Sequence, residues 1–322
     1  MSDKDYELPA NRGIAPSGDD AAHRAARQRS LGLASAPDAR FDALARKVVE
    51  LTGAPAAMVN LVGGDRQYFV GLHVEADTTP GAPPFMGEPD REMDLDYGFC
   101  VHVVARRKAL VLDDVFAYPR FAGNPVVDGL GVRSYLGAPL LYDDGTVLGT
   151  VCALDPNVRT IEEHTEWGQR GLETIKAVAD EVVAEIKSRQ RVSAVTAAAP
   201  GPVTIVALPR LEVLHVNEVH EQLFGAVVEL GAFAVDAFPD LASVGLVAAM
   251  DQAARSGAPA ATAPVRLIAY GRDVVFAAVP VRMPGHADAV LTLGMLDADA
   301  GHCAFVAVDI AARVAGLSEP AP

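Results

Sequence analysis

Residues 98–155 read GFCVHVVARRKALVLDDVFAYPRFAGNPVVDGLGVRSYLGAPLLYDDGTVLGTVCALD, and this stretch decides the fold. Four apolar runs mark it: Phe99 to Val104, Ala109 to Leu112, Ser134 to Leu141 and Thr146 to Leu154. Their length and their valine, leucine and tyrosine content predict strands. Asp143-Asp144-Gly145 separates the last two and suits a hairpin, because glycine takes the positive φ that a tight turn needs. Between the second and third runs, Asp113 to Arg133 holds two prolines, three glycines and an asparagine. A long irregular loop inside an apolar sheet is expected to form a binding wall rather than a plain connector.

Several short motifs recur in a fixed order through this region. They are Phe99-Cys100-Val101-His102, the segment Asp114 to Pro125 with its Pro-Arg-Phe and Asn-Pro, Tyr135 to Leu140, and Gly149 to Cys152. Upstream stand Gly53-Ala54-Pro55, the run Met58 to Val62, and Asp65-Arg66-Gln67-Tyr68-Phe69. On these motifs residues 38 to about 190 resemble the GAF domains of bacterial signalling proteins. Tyr118 departs from the pattern, where an acidic residue usually precedes the Pro-Arg-Phe, and so does Gly98, where serine is common. The resemblance implies an antiparallel sheet with helices on one side and, on the other, loops that close over a small pocket.

A chain of 322 residues suits two domains, each able to bury a core, and 50% hydrophobic with 21% charged residues excludes global disorder. A formal net charge of -15 argues against a nucleic-acid partner, which needs a cationic footprint. Arg106-Arg107-Lys108 reads as a solvated turn. The start, MSDKDYELPANRG, has no secretory pattern and no run is long enough to span a membrane, so a cytoplasmic protein is expected. Cys100, Cys152 and Cys303 are too few and too scattered for a disulfide framework or a cysteine-rich zinc site.

Taken in order, residues 1–18 read as a flexible tail. Asp19 or Asp20 starts a short helix ended by Gly32, and Pro37-Asp38 starts a second one, with Phe41, Leu44, Ala45, Val48 and Leu51 at helical spacing and Gly53 as its stop. A hairpin turns at Gly63-Gly64-Asp65; Arg66-Gln67 follows, so this is not the start of a diguanylate cyclase signature. Residues 71 to 97, with four prolines, read as a loop or lid. A capping box at Thr160 to Glu163 opens a long helix, along which Leu172, Ile175, Ala179, Val182 and Ile186 form a short seam. Residues 19–191 are thus the GAF-like domain with its flanking helices, 192–202 a linker and 203–322 a second domain. The second domain resembles a PAS domain: a hairpin from Val203 to Val216, then Asn217, a helix ending at Leu223-Phe224-Gly225, a helix from Leu241 to Arg255, three strands near 263–271, 273–282 and 289–297, and a last helix from Ala304 to Leu317. The fold class is α+β, two central antiparallel sheets each flanked by helices.

On a strand, Cys100 and His102 point to one face, a placement that suits a metal, a chromophore or a nucleophile pair. None of these has the further ligands or orienting carboxylate it needs, so a buried cysteine beside a hydrogen-bonded histidine is the default. Bilin-bearing GAF domains carry Cys-His directly, whereas Val101 intervenes here; haem held through His102 or His164 is the alternative cofactor. Cys152 on a neighbouring strand makes a redox pair with Cys100 conceivable, though its Val-Cys-Ala setting argues for inert burial. Of Asp113 and Asp114 only one can face a ligand. Arg120, Asn124 and Arg133 border the wall, where they either hold an anionic ligand such as a cyclic nucleotide or tie the loop to the sheet. The candidate pocket is therefore Phe99, Cys100, His102, Asp114, Phe121, Asn124, Arg133, Tyr135 and Cys152. No nucleotide-binding, hydrolase or phosphotransfer signature occurs. The expectation is a sensory or regulatory protein without its own catalytic output. It would be a homodimer that answers to a small molecule or a signalling partner such as a kinase or phosphatase.

Overall fold

The computed structural model describes residues 18–317 except 34, 76–89, 163–164, 225–227, 229, 239–242, 268–270 and 284–285. Residues 1–17 of the expected tail, His164 and most of the expected lid lie outside the described residues, whereas Gly18, expected in the tail, already belongs to the first helix. The chain forms two compact units, one ending at Ala184 and the other beginning at Glu185.

In the first unit α1 (Gly18–Ser30) and α2 (Ala39–Thr52) precede the sheet. α2 starts where the Asp38 carboxylate accepts the amides of Arg40 and Phe41, and it stops at Gly53, whose φ is 61°. Its stripe is buried except for Leu51, which is exposed while Val49 packs inward. The strands are β1 (Ala56–Val62), β2 (Arg66–Val74), β3 (Glu92–Asp94), β4 (Leu110–Leu112), β5 (Ser134–Leu141) and β6 (Val147–Asp155). They form an antiparallel sheet in the order β3-β2-β1-β6-β5-β4. The expected strand over Phe99 to Val104 is instead the helix α3 (Cys100–Arg106). All of Cys100 to Val104 are buried, so no polar face marks the helical period, and packing outweighs the strand preference of three valines.

The wall at 113–133 is also more ordered than expected. It contains a 3-10 turn (Val115–Ala117) and two short helices, α4 (Pro119–Ala122) and α5 (Pro125–Leu130). The prolines that suggested irregularity occupy first helical positions, where a missing N–H costs nothing. The long helix α6 (Gln169–Ala197) starts nine residues after Thr160, so the capping box does not open it. Gly171 of α6 abuts Leu136, whereas α3 packs beside Tyr135; adjacent strand residues point oppositely, so helices cover both faces of the sheet.

α6 begins in the first unit and ends in the second, running into the segment expected to be a linker. The second unit follows with β7 (Val203–Ala207), β8 (Glu212–Val216), α7 (Glu218–Phe224), α8 (Ala234–Ala237), α9 (Leu246–Ser256), β9 (Ala260–Ala261), β10 (Val265–Leu267), β11 (Arg272–Met283), β12 (His286–Leu296) and α10 (Ala300–Gly316). Its antiparallel sheet runs β10-β11-β12-β7-β8, with β9 beside β11. One face packs Ile205 and Leu291 against Val192, Cys303, Ala307 and Ile310; the other packs Val206 and Val274 against Leu246 and Met250 of α9. Among the described residues no helix is long and apolar enough to cross a membrane.

Candidate functional site

Gly98, at φ 74°, turns the chain into α3 and is held by one side chain of the wall. Asn124 accepts the Gly98 amide at 2.9 Å, donates to the Gly98 carbonyl at 3.0 Å, and caps α5 by accepting the Val126 amide. The Phe99 ring meets Phe121 and Tyr135 edge-on at 5.7 and 5.2 Å, and His102 meets Phe121 at 4.9 Å. From the sheet, the Tyr135 hydroxyl reaches within 3.4 Å of Cys100 Sγ, which lies 3.6 Å from Cys152 Sγ. Gly137 makes this possible: a Cβ there would collide with the Tyr135 hydroxyl, which lies across it.

These groups border a cavity of about 20 Å³ whose lining includes Met58, Phe69, Phe99, Cys100, Tyr135 and Cys152. That volume holds roughly one water molecule. Of the expected pocket residues, Phe99, Cys100, Tyr135 and Cys152 line the cavity. His102 and Phe121 pack in the adjoining core. Asp114, Asn124 and Arg133 hold the wall together: Arg133 binds both oxygens of Asp114 at 2.9–3.1 Å and lies 4.6 Å over the Phe116 ring, while Asp114 also caps the 3-10 turn. Asp113 accepts a separate bond from the Tyr118 hydroxyl at 2.8 Å. Arg120 is exposed beside Phe121.

Residues 36–186 match the model of the GAF domain family. The first unit carries a GAF domain. A cyclic di-GMP phosphodiesterase of Pseudomonas aeruginosa is 27% identical over 131 residues, which make up 39% of this chain and 20% of that protein. The chain thus spans about a fifth of the length of the curated relative it matches. Among solved structures, the blue-light absorbing form of the PixJ GAF domain from Thermosynechococcus elongatus is 17% identical, covering 51% of this chain and 87% of that one with a TM-score of 0.36. The free methionine-R-sulfoxide reductase from Neisseria meningitidis is 18% identical, covering 57% and 96% with a TM-score of 0.33.

Within this GAF domain the expected Cys100/His102 pair does not form. Two positions apart on a helix they diverge by about 200° rather than sharing a face. Cys100 points at the cavity and His102 at Phe121. Among the described residues, the cavity beside Cys100, at about 20 Å³, is far below the roughly 300 Å³ at which pockets admit drug-sized ligands and so does not hold a tetrapyrrole as it stands. Met58, Phe69 and Leu154 line the cavity without having been foreseen. The signal lay in strand register, since Met58 stands opposite Cys152 and paired residues share a face.

Burial, with repulsion from Arg120 and Arg106, lowers His102 to about 4, and burial lowers His220 of the second unit to about 4. Unfolded histidine titrates near 6.5, so between the two values the unfolded chain binds more protons and stability falls as pH drops from about 6.5 toward 4. The expected loss is on the order of 3 kcal/mol for each histidine by pH 4. Urea unfolding at pH 7, 5 and 4 should show it, and His102→Gln should flatten the GAF transition; identical pH profiles for the two proteins would refute the assignment.

Proposed function

We propose that this chain is a sensory or regulatory protein whose GAF domain answers to a small molecule or a partner at the wall formed by residues 113–133. The observation behind this reading is the wall itself, short helices fastened by Asn124 over an apolar cavity. Since the cavity has room for roughly one water, a larger ligand must favour an arrangement in which the wall has moved. That differential affinity is the signal. The second unit is read as PAS-like. Its support is the β7–β8 hairpin followed by buried Asn217, which accepts the Val203 amide and donates to the carbonyls of Thr196 and Gly201. No catalytic step is assigned to the chain; output passes through a homodimer change or a signalling partner in the cytoplasm.

A second reading, a ligand-free docking module, draws on the same cavity, small and bordered by polar groups already engaged with one another. Native mass spectrometry and light scattering of the purified chain, with and without cyclic nucleotides, distinguish the two. A co-purified small mass, or a ligand-dependent change in assembly, is expected on the first reading. A ligand-free dimer indifferent to added nucleotides supports docking, and a monomer that binds nothing overturns both.

A further inference from the structure

We propose that Cys100 and Cys152 form a peroxide-reactive dithiol that closes to a disulfide inside the GAF domain. The two sulfurs touch at 3.6 Å, and a disulfide needs about 2.05 Å, so closure requires a shift of only about 1.5 Å. The partners differ in freedom. Cys152 is fixed in the centre of the sheet, opposite Met58 on β1 and Gly137 on β5. Cys100 opens a seven-residue helix two positions after Gly98, at φ 74°, and is the sulfur placed to move.

The surroundings also set this pair apart from an inert buried thiol. Cys100 ionises more readily than an ordinary cysteine because the Cys152 thiol donates to it, against the cost of burial and with help from Thr150, Tyr135 and Asn60; Cys152 is pushed the other way. The pair therefore gives up its first proton readily and holds the second, and the resulting thiolate is the reactive form. By contrast Cys303, in the second unit, has its pKa raised to about 11, chiefly by burial. Both Cys100 and Cys152 line the cavity of about 20 Å³, which suits an oxidant of near-water size and excludes a bulky one such as glutathione disulfide.

The chemistry balances with hydrogen peroxide as the oxidant. The Cys100 thiolate attacks one peroxide oxygen, forming an S–O bond as the O–O bond breaks, and the departing hydroxide takes a proton to become water. Cys152 sulfur then attacks the Cys100 sulfenic acid, the S–S bond forms, and the displaced hydroxide leaves as a second water with the Cys152 proton. Two thiols and one peroxide give one disulfide and two waters. Closure pulls the first turn of α3, and with it Gly98 and the Asn124 clamp of the wall. The proposal does not rest on the wall binding a ligand.

The test treats the full chain with one equivalent of hydrogen peroxide and maps its three cysteines by alkylation and peptide mass spectrometry. The expected result is a peptide joined through Cys100 and Cys152, reversed by dithiothreitol and formed about tenfold faster than Cys303 oxidises. Cys152→Ser should leave a Cys100 sulfenic acid trapped by dimedone, Tyr135→Phe should slow the reaction, and glutathione disulfide should leave the pair reduced. Oxidation of Cys303 first, or Cys100 and Cys152 both unreacted when free cysteine is consumed, overturns the proposal. Circular dichroism of each variant confirms that it folds.

Discussion

Gly149→Ala is expected to destabilise the GAF domain by at least about 3 kcal/mol, although it adds a single methyl group. Gly149 lies on β6 opposite Leu61, and a Cβ there would fall on the Asn60 carbonyl oxygen and the Leu61 Cα. Both obstacles are backbone of the neighbouring strand β1, so no side chain can turn away to make room. The register that sets Met58 opposite Cys152 is the same one, and forcing β1 and β6 apart disturbs the cavity floor as well as the sheet. Urea unfolding of the full chain measures the loss, with Gly64→Ala as the control. Gly64 is an exposed turn residue with nothing near its missing Cβ, and its change should stay within about 0.5 kcal/mol. Equal effects from the two substitutions would show that the close approach at Gly149 is not a constraint.

This glycine illustrates what a linear motif can and cannot convey. Gly149 to Cys152 and Tyr135 to Leu140 were legible as motifs, but their physical cause is a neighbour across the sheet: Asn60 for Gly149, and the overlying Tyr135 ring for Gly137. Some locally coded features were legible, although the capping box at Thr160 to Glu163 was not one of them. Asp38 and Gly53 bound α2 because capping acts within one turn, and β5 spans Ser134–Leu141 as its apolar run predicts. What failed was decided at longer range. Cys100 to Val104 carry no periodic signal because every one of them is buried, so a helix reads as a strand. That error misplaced His102, which a strand would have set beside Cys100 and a helix turns toward Phe121. Asp114, Asn124 and Arg133 were found as a group, but a sequence does not say whether such polar residues face a ligand or one another. Here they bond to Gly98, Val126 and each other.

Trp167→Ala should cost about 3–5 kcal/mol, the range for emptying a buried aromatic site. Trp167 is the chain's single tryptophan and is 1% exposed. Its indole N–H donates to the Thr52 carbonyl at 3.2 Å, at the end of α2, and the Arg159 guanidinium lies 5.4 Å over its ring. Arg159 in turn pairs with Asp155, a carboxylate at the end of β6 that is 1% exposed. One side chain thus joins the end of α2, the end of β6 and the approach to α6, three points far apart in sequence. Removing it leaves a void, an unanswered carbonyl and a guanidinium with less to lie against. Trp167→Phe narrows these contributions, since it keeps an aromatic ring but loses the N–H donor and part of the indole volume; its cost should be about 1–3 kcal/mol. Thermal unfolding followed by circular dichroism measures both variants, and tryptophan fluorescence of the parent chain reports this domain alone. A loss below about 1 kcal/mol for Trp167→Ala would mean that α2, β6 and α6 are held together without it. The full expected loss for Trp167→Ala beside a small one for Trp167→Phe would mean that packing of the ring, more than its hydrogen bond to Thr52, holds these three elements together.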